Sequence, residues 1–392
     1  MFDIEGKLSD IRAKGAYREL RYLESAQGAY VTFEGRRVML LSSNSYLGLC
    51  DDQRLKDAAI AAIEKYGVGS GGSRLTTGSN LIHRDLEIAL AEFKRTESSM
   101  VFNTGYMTNL GTIAGLTDEN WTVFCDRLNH ASIVDGCRLS KARLIVYKHC
   151  DVDDLEKKLA RYKGNNNLIV TDGVFSMDGD IAPLDKIVRL AKKHGALTMV
   201  DDAHATGVIG ESGSGTAEYF GIDGVDIQMG TLSKALAGEG GYIAGKAELI
   251  DYLRQKAKSF IYSTSLSPAV TAVAIEAIKI IKDDRSSRGR LLENANWFRG
   301  QLRELGFDVL NGATPIIPVI IGDADLAVDF SKKLAEAGLY IPAIRPPTVP
   351  RNTSRLRITL MATHTREDLS CAIEALKGVA TEMGIIGGGY NG

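Results

Sequence analysis

The sequence carries almost no excess charge: 47 lysines and arginines stand against 49 aspartates and glutamates, a formal net charge of -2 over 392 residues. Such balance offers no general attraction for phosphate backbones or anionic lipid, so nucleic acid and membrane surfaces are poor candidates as partners. Long apolar runs are missing too. Stretches such as PIIPVII (315–321) fall far short of the roughly 20 residues a spanning helix needs. The acidic start MFDIEG has no basic-then-apolar signal, and a cytoplasmic protein is expected. Cysteine is scarce and unpaired. Five of them, at 50, 125, 137, 150 and 371 with no C-x-x-C, indicate neither a disulfide framework nor a thiolate zinc site. The six histidines show no H-E-x-x-H or other ligand spacing, so no metal is expected.

What is present is a chain 44% hydrophobic and 24% charged, long enough for two domains. Its 41 glycines, about one residue in ten against a usual ~7%, cluster between apolar runs. From about Asp118 to Gly245 the runs TVFC (122–125), ARLIVY (142–147), NLIVTD (167–172), ALTMVD (196–201) and VDIQMG (225–230) read as buried strands. Between them, DVDDLEKKLARY places Val152, Leu155 and Leu159 on one helical face behind a capping Asp151, and PLDKIVRLAKKHG stops at Gly195. Strand and helix in repetition predict a parallel sheet with right-handed crossovers.

The pattern changes after a helical stretch near Val270–Asp283. We expect a large domain over 46–285 and a smaller α+β domain over 286–392, built from GFDVL, PIIPVIIG, a helix Asp325–Ala337, RLRITLM and a last helix behind Thr365. Residues 1–45, with an amphipathic helix around Ile11–Leu23 and a hairpin at AYVTFEGRRVML, are expected to pack on the small domain or on a partner subunit. GGGYNG at the C-terminus reads as a mobile tail.

Candidate chemistry gathers at the ends of the expected parallel strands, where open α/β sheets bind their ligands. His130 follows TVFCDRL, Ser176 follows LIVTDGVF, Asp201 and His204 lie in VDDAHATG, and Lys234 lies in MGTLSKALAG. A lysine with a buried aspartate suggests pyridoxal phosphate, whose aldehyde needs an amine and whose pyridine nitrogen needs a carboxylate to stay protonated. The phosphate would sit on the helix start at Gly105–Tyr106, with Thr231 adding a hydroxyl. His130 would stack on the ring opposite Ala203, while Ser176 and His204 would bond the phenolic oxygen side. One motif points elsewhere: GVGSGG (67–72) matches G-x-G-x-x-G, the basis of an alternative as a nicotinamide-dependent dehydrogenase. That fingerprint should follow a strand, yet it follows RLKDAAIAAIEKY, which reads as a helix.

On NSYLGL (44–49), GSGGSRLTTG (69–78), LNHASIVDG (128–136), TDGVFSMDGD (171–180), VDDAHATGVIGE (200–211), GTLSKALAG (230–238), IYSTSLSPA (261–269) and RLRITLMATHT (355–365), the chain resembles the α-oxoamine synthases almost end to end. These are pyridoxal-phosphate enzymes that condense an amino acid with an acyl-CoA and release carbon dioxide. The resemblance implies an α/β aminotransferase-like fold (fold type I), with a mostly parallel sheet in the large domain and a smaller α+β domain. AIRPPTVP (343–350) favours the branch that joins L-alanine to pimeloyl-CoA or a pimeloyl-carrier protein, with glycine and acetyl-CoA as the nearest competing pair.

By the same resemblance Lys234 is the Schiff-base lysine and a catalytic base, and Asp201 the pyridinium partner. His204 and Ser176 lie near the ring oxygen, Thr231 is a phosphate ligand, and His130 contacts both cofactor and reacting oxygens. Asn44 and Arg357 are implied at the amino-acid carboxylate, Arg18 and Thr348 towards the acyl-CoA, and Ser263 and Thr264 at the neighbouring subunit's cofactor. A homodimer with shared sites follows from that last implication. Alanine stands at 205 where related sequences often carry glycine.

Overall fold

The computed structural model describes residues 2–13, 17–162, 164 and 166–386; the GGGYNG tail lies outside them. The strands are β1 Tyr30–Phe33, β2 Arg36–Leu40, β3 Ser98–Phe102, β4 Trp121–Asp126, β5 Arg143–Tyr147, β6 Asn166–Asp172, β7 Leu197–Asp201, β8 Ile227–Thr231, β9 Gly241–Gly245, β10 Ile316–Gly322, β11 Leu339–Tyr340, β12 Ala343–Ile344 and β13 Ser354–Thr359. A seven-stranded sheet in the order β3-β9-β8-β7-β6-β4-β5 forms the centre. β5, β4, β6, β7 and β8 pair in parallel, and β9 runs antiparallel to both its neighbours.

All five expected strands are present at their expected places. The helices between them end as their caps dictate: Asp151 accepts from the Asp154 N–H ahead of the helix Val152–Arg161, and Gly195, at φ 64°, closes the helix Leu184–His194. Sequence reading missed β3 and β9. GYIAG resembles a glycine loop, but all five residues are buried between β3 and β8. Glycine is required on the neighbouring strand, because a Cβ at Gly230 would stand 2.5 Å from the Tyr242 ring lying across it.

Elsewhere β10, β13 and β12 form a second sheet, and the hairpin β1-β2 forms a third with β11, pairing parallel through Met39 and Leu40. The final helix, Arg366–Glu382, opens on a Thr365 capping box. One apolar cluster runs through both regions, joining Leu41 and Tyr46 to Phe298, Phe330 and Ile358. The expected helix Ile11–Leu23 is corrected. The helix is Ile4–Ala13, residues 14–16 lie outside the described set, and 17–22 have no regular structure. Leu23 instead bridges to Phe33, so its apolar position served a strand edge and not a helical face. Among the described residues, no helix is long and apolar enough to cross a membrane.

Candidate active site

A cavity of about 260 Å³ opens at the C-terminal edge of the central sheet, the end at which doubly wound sheets place ligands. Strand ends build its floor. β7 delivers Asp201, with Ala203 and His204 just beyond it, β6 delivers Asp172 and leads to Ser176, and β8 delivers Thr231 and leads to Lys234. The helix Gly105–Leu116 enters from above. Thr104 caps it by accepting from the Met107 N–H, while the N–H groups of Gly105 and Tyr106, in the first turn, have no carbonyl four residues back to bond.

Lys234 is nearly enclosed. Burial pushes its amine down to about 8, against the pull of Asp201, with the Arg357 guanidinium lowering it further. Asp201 is 5% exposed and fully partnered: Oδ2 accepts from Asn109 Nδ2 at 2.7 Å, and Oδ1 from the Ala203 N–H at 2.9 Å. Asn109 Nδ2 also donates to Ser132 Oγ at 2.9 Å, and that oxygen lies 2.8 Å from His130 Nδ1. The Ser132 N–H points at the same nitrogen, so Nδ1 accepts and the His130 proton sits on Nε2. Burial pushes the His130 pKa down, and the Lys234 charge adds to this against the opposing pull of Asp201. Burial, and then the charge of Asp201 in the adjacent register position, push the Asp172 carboxyl well above the usual range.

The structure gathers Gly105, Tyr106, His130, Ser176, Asp201, His204, Thr231 and Lys234 around this one cavity. Arg357 and Asn44 stand together at its margin. Arg357 Nε donates to the Ser176 carbonyl at 2.5 Å, Nη1 to Thr359 Oγ1 at 3.0 Å and Nη2 to Asn44 Oδ1 at 3.1 Å. Arg18 and Thr348 lie apart, on a separate groove of about 550 Å³ that also holds Arg21 and Arg345. Ser263 and Thr264 are absent from the lining of the cavity. Thr264 bridges to Ser73, and its carbonyl accepts from Asn103. The Thr231 hydroxyl donates to the Gly240 carbonyl at 2.8 Å, and its oxygen accepts from the Ser233 hydroxyl at 2.8 Å and the Ser233 N–H at 3.3 Å.

Sequence reading missed Asn109, Ser132, Asp172, Ser233 and Tyr46. Asn109 had a usable signal, since it sits about one turn inside the helix whose start at Gly105–Tyr106 was expected, whereas the helix Ala131–Ser140 that carries Ser132 was not foreseen. Alanine at 205 needs no left-handed backbone, because the positive φ of this turn falls at Gly207 (φ 80°). The GVGSGG segment follows the helix Gln53–Tyr66, with Gly67 as its C-cap at φ 82°, so the strand-turn-helix a dinucleotide site requires is not there. Asp126, His149, Cys150, Asp178 and Asp180 come close enough to suggest a metal. His149, however, is sandwiched between two carboxylates at 3.0 and 2.8 Å. Against burial, these hydrogen bonds raise its pKa to about 12, the state of a bound imidazolium and not of a ligand.

A family model described as aminotransferase class I and II matches residues 36–376. The chain is 51% identical over 382 residues to the 8-amino-7-oxononanoate synthase of Lysinibacillus sphaericus, covering 97% of this chain and 98% of that protein. It is 51% identical over 387 residues to the protein of the same name from Geobacter sulfurreducens, covering 98% and 99%. Among solved structures it superimposes with a TM-score of 0.93 on serine palmitoyltransferase from S. paucimobilis with a bound PLP–myriocin aldimine, at 32% identity over 97% of this chain and 98% of that one.

Proposed function

This chain belongs to the aminotransferase class I and II family, within its α-oxoamine synthases, and from that premise we propose that it is a pyridoxal-phosphate-dependent 8-amino-7-oxononanoate synthase. It joins L-alanine to pimeloyl-CoA, or a pimeloyl-carrier protein, and releases the thiol and carbon dioxide, a step of biotin biosynthesis. The observation that carries the reading is the pairing, in one cavity, of an amine depressed to about 8 with a buried carboxylate on the next strand. N–H donors at a helix start and an unmet buried acceptor, Asn109 Oδ1, complete a set of polar groups that fits pyridoxal phosphate.

When bound, the cofactor supplies an aldehyde for amines and a protonated ring that absorbs the electron pair left on the amino acid's Cα. Lys234 would hold the aldehyde, and its amine, when free, would be the base for the Cα proton, its lowered pKa leaving a substantial neutral fraction near neutral pH. Asp201, oriented by Asn109 and the Ala203 N–H, would keep the proton on the ring nitrogen. The Gly105 and Tyr106 N–H groups would bind the phosphate, with Thr231 and Ser233 beside them. The planar fork of Arg357, held by three hydrogen bonds, orients the amino-acid carboxylate with Asn44. His130 presents Nε2–H to the oxygen on which charge develops.

Arg18 and Thr348 sit on the thioester side, along the groove they share with Arg21 and Arg345. Ser263 and Thr264, outside the lining of their own cavity and beside the 80% exposed Tyr262, serve the partner's cofactor in a homodimer. The test is thiol release by the cofactor-loaded protein with pimeloyl-CoA plus L-alanine, against acetyl-CoA plus glycine. Preference for the first pair is expected. Preference for the second makes this a 2-amino-3-ketobutyrate CoA ligase, and release from neither removes the acyltransferase reading.

A further inference from the structure

Tyr46 lies in the segment NSYLGL, far from the strand ends, and is completely buried. Its hydroxyl stands 2.5 Å from His204 Nδ1 and 3.4 Å from Asn44 Oδ1. Only one of these neighbours is within good range for an O–H donor. Were Nδ1 to carry the proton, the Tyr46 O–H would be left with the distant Asn44 oxygen alone, an unmet buried donor. The phenol therefore donates to Nδ1. His204 is neutral, because burial and the charges of Lys234, Arg357 and His130 all press its pKa well below the usual value. A neutral ring has one N–H, and with Nδ1 accepting it is on Nε2, the donor His204 offers to the cavity it lines. On its other side Tyr46 meets the carboxylate clamp: Asn44 Oδ1 takes the Arg357 Nη2–H, and the guanidinium pulls the phenol's pKa down against its burial.

We propose that Tyr46 is a positioning residue that fixes His204 as an Nε2–H donor and ties that hydrogen bond to occupation of Arg357 by the substrate carboxylate. The inference rests on the cofactor reading above and deepens it. An acid bound at Arg357 draws the guanidinium from Asn44 and Tyr46, the phenol becomes a weaker donor to Nδ1, and the hydrogen bond His204 presents at the ring oxygen changes with it. The chain Arg357, Asn44, Tyr46, His204 thus tells the reacting end of the site that an amino acid has arrived.

The groups facing His204 are Tyr46, Lys234, Arg357 and His130, and Tyr46→Phe removes one hydroxyl while leaving the other three side chains in place. The test is the absorption of the cofactor-loaded protein across pH, with and without propionate, which mimics alanine's carboxylate but lacks its amine. A donor at the ring oxygen lowers the basicity of the nitrogen joined to Lys234, so its loss should raise the pH at which the visible band fades by about one unit, a tenfold change. The shift that propionate induces should fall to less than about half its wild-type size, the remainder being direct charge. Asn44→Ala keeps both buried rings and covers the case in which the phenylalanine variant fails to fold: the propionate shift should shrink there too. A wild-type band whose titration and propionate response are unchanged in these variants overturns the relay alone. A wild-type protein that forms no visible band overturns the proposed function, and the relay with it.

Discussion

The amine of Lys234 provides the sharpest quantitative expectation. Burial and the nearby guanidinium lower it from 10.5 to about 8. At pH 7.5 about a quarter of such amines are neutral, against about 0.1% for an ordinary lysine, so attack on an aldehyde should be about 200-fold faster than for a surface lysine of equal reactivity. The assay is the initial rate at which cofactor-free protein develops a visible band with fixed pyridoxal phosphate. That rate should climb about tenfold per pH unit below the midpoint and level off above about 8. Arg357→Met removes a charge that lowers the amine, and should move the midpoint up. Asp201→Asn removes one that raises it, and should move the midpoint down. A midpoint at 10 or above, or one indifferent to both substitutions, refutes the reasoning. A linked effect follows from the sign of the shift. Between about 8 and 10.5 the unfolded chain binds more protons at this lysine than the folded one, so the cofactor-free protein should gain stability as pH rises through that window. The gain is about 3 kcal/mol, from about 1.4 per unit.

Two further outcomes follow from the same geometry. Lys94 and Asp202 are both wholly enclosed and meet at 2.7 Å. Lys94→Met strands the carboxylate and should cost about 3–5 kcal/mol in urea unfolding, and a loss below about 1 would mean that Asp202 finds other partners. Arg357→Lys keeps the charge but gives up the fork that bonds Ser176, Thr359 and Asn44. The KM for the amino acid should rise by about 10- to 100-fold while that for the thioester holds nearly steady, and equal rises in both would move Arg357 away from the carboxylate.

Much of this protein was legible in its sequence, and the reason is local. Apolar runs of β6, β7 and β8, the Asp151 and Thr365 caps and the Gly195 stop each act within a few residues, so periodicity and capping chemistry reveal them directly. Asp201 and Lys234 were visible because they follow such runs at strand ends, where a parallel sheet has one place to put a ligand. The antiparallel β9 was not legible: its glycines make a strand only because Tyr242 must lie against Gly230 across the register. Nor was Tyr46, whose role depends on His204 and Arg357, 158 and 311 residues further along the chain. Composition, caps and strand ends are written residue by residue. Which proton a histidine carries, and which arginine hears of it, depends on distances that exist only once the small sheet has docked its Arg357 beside the large one.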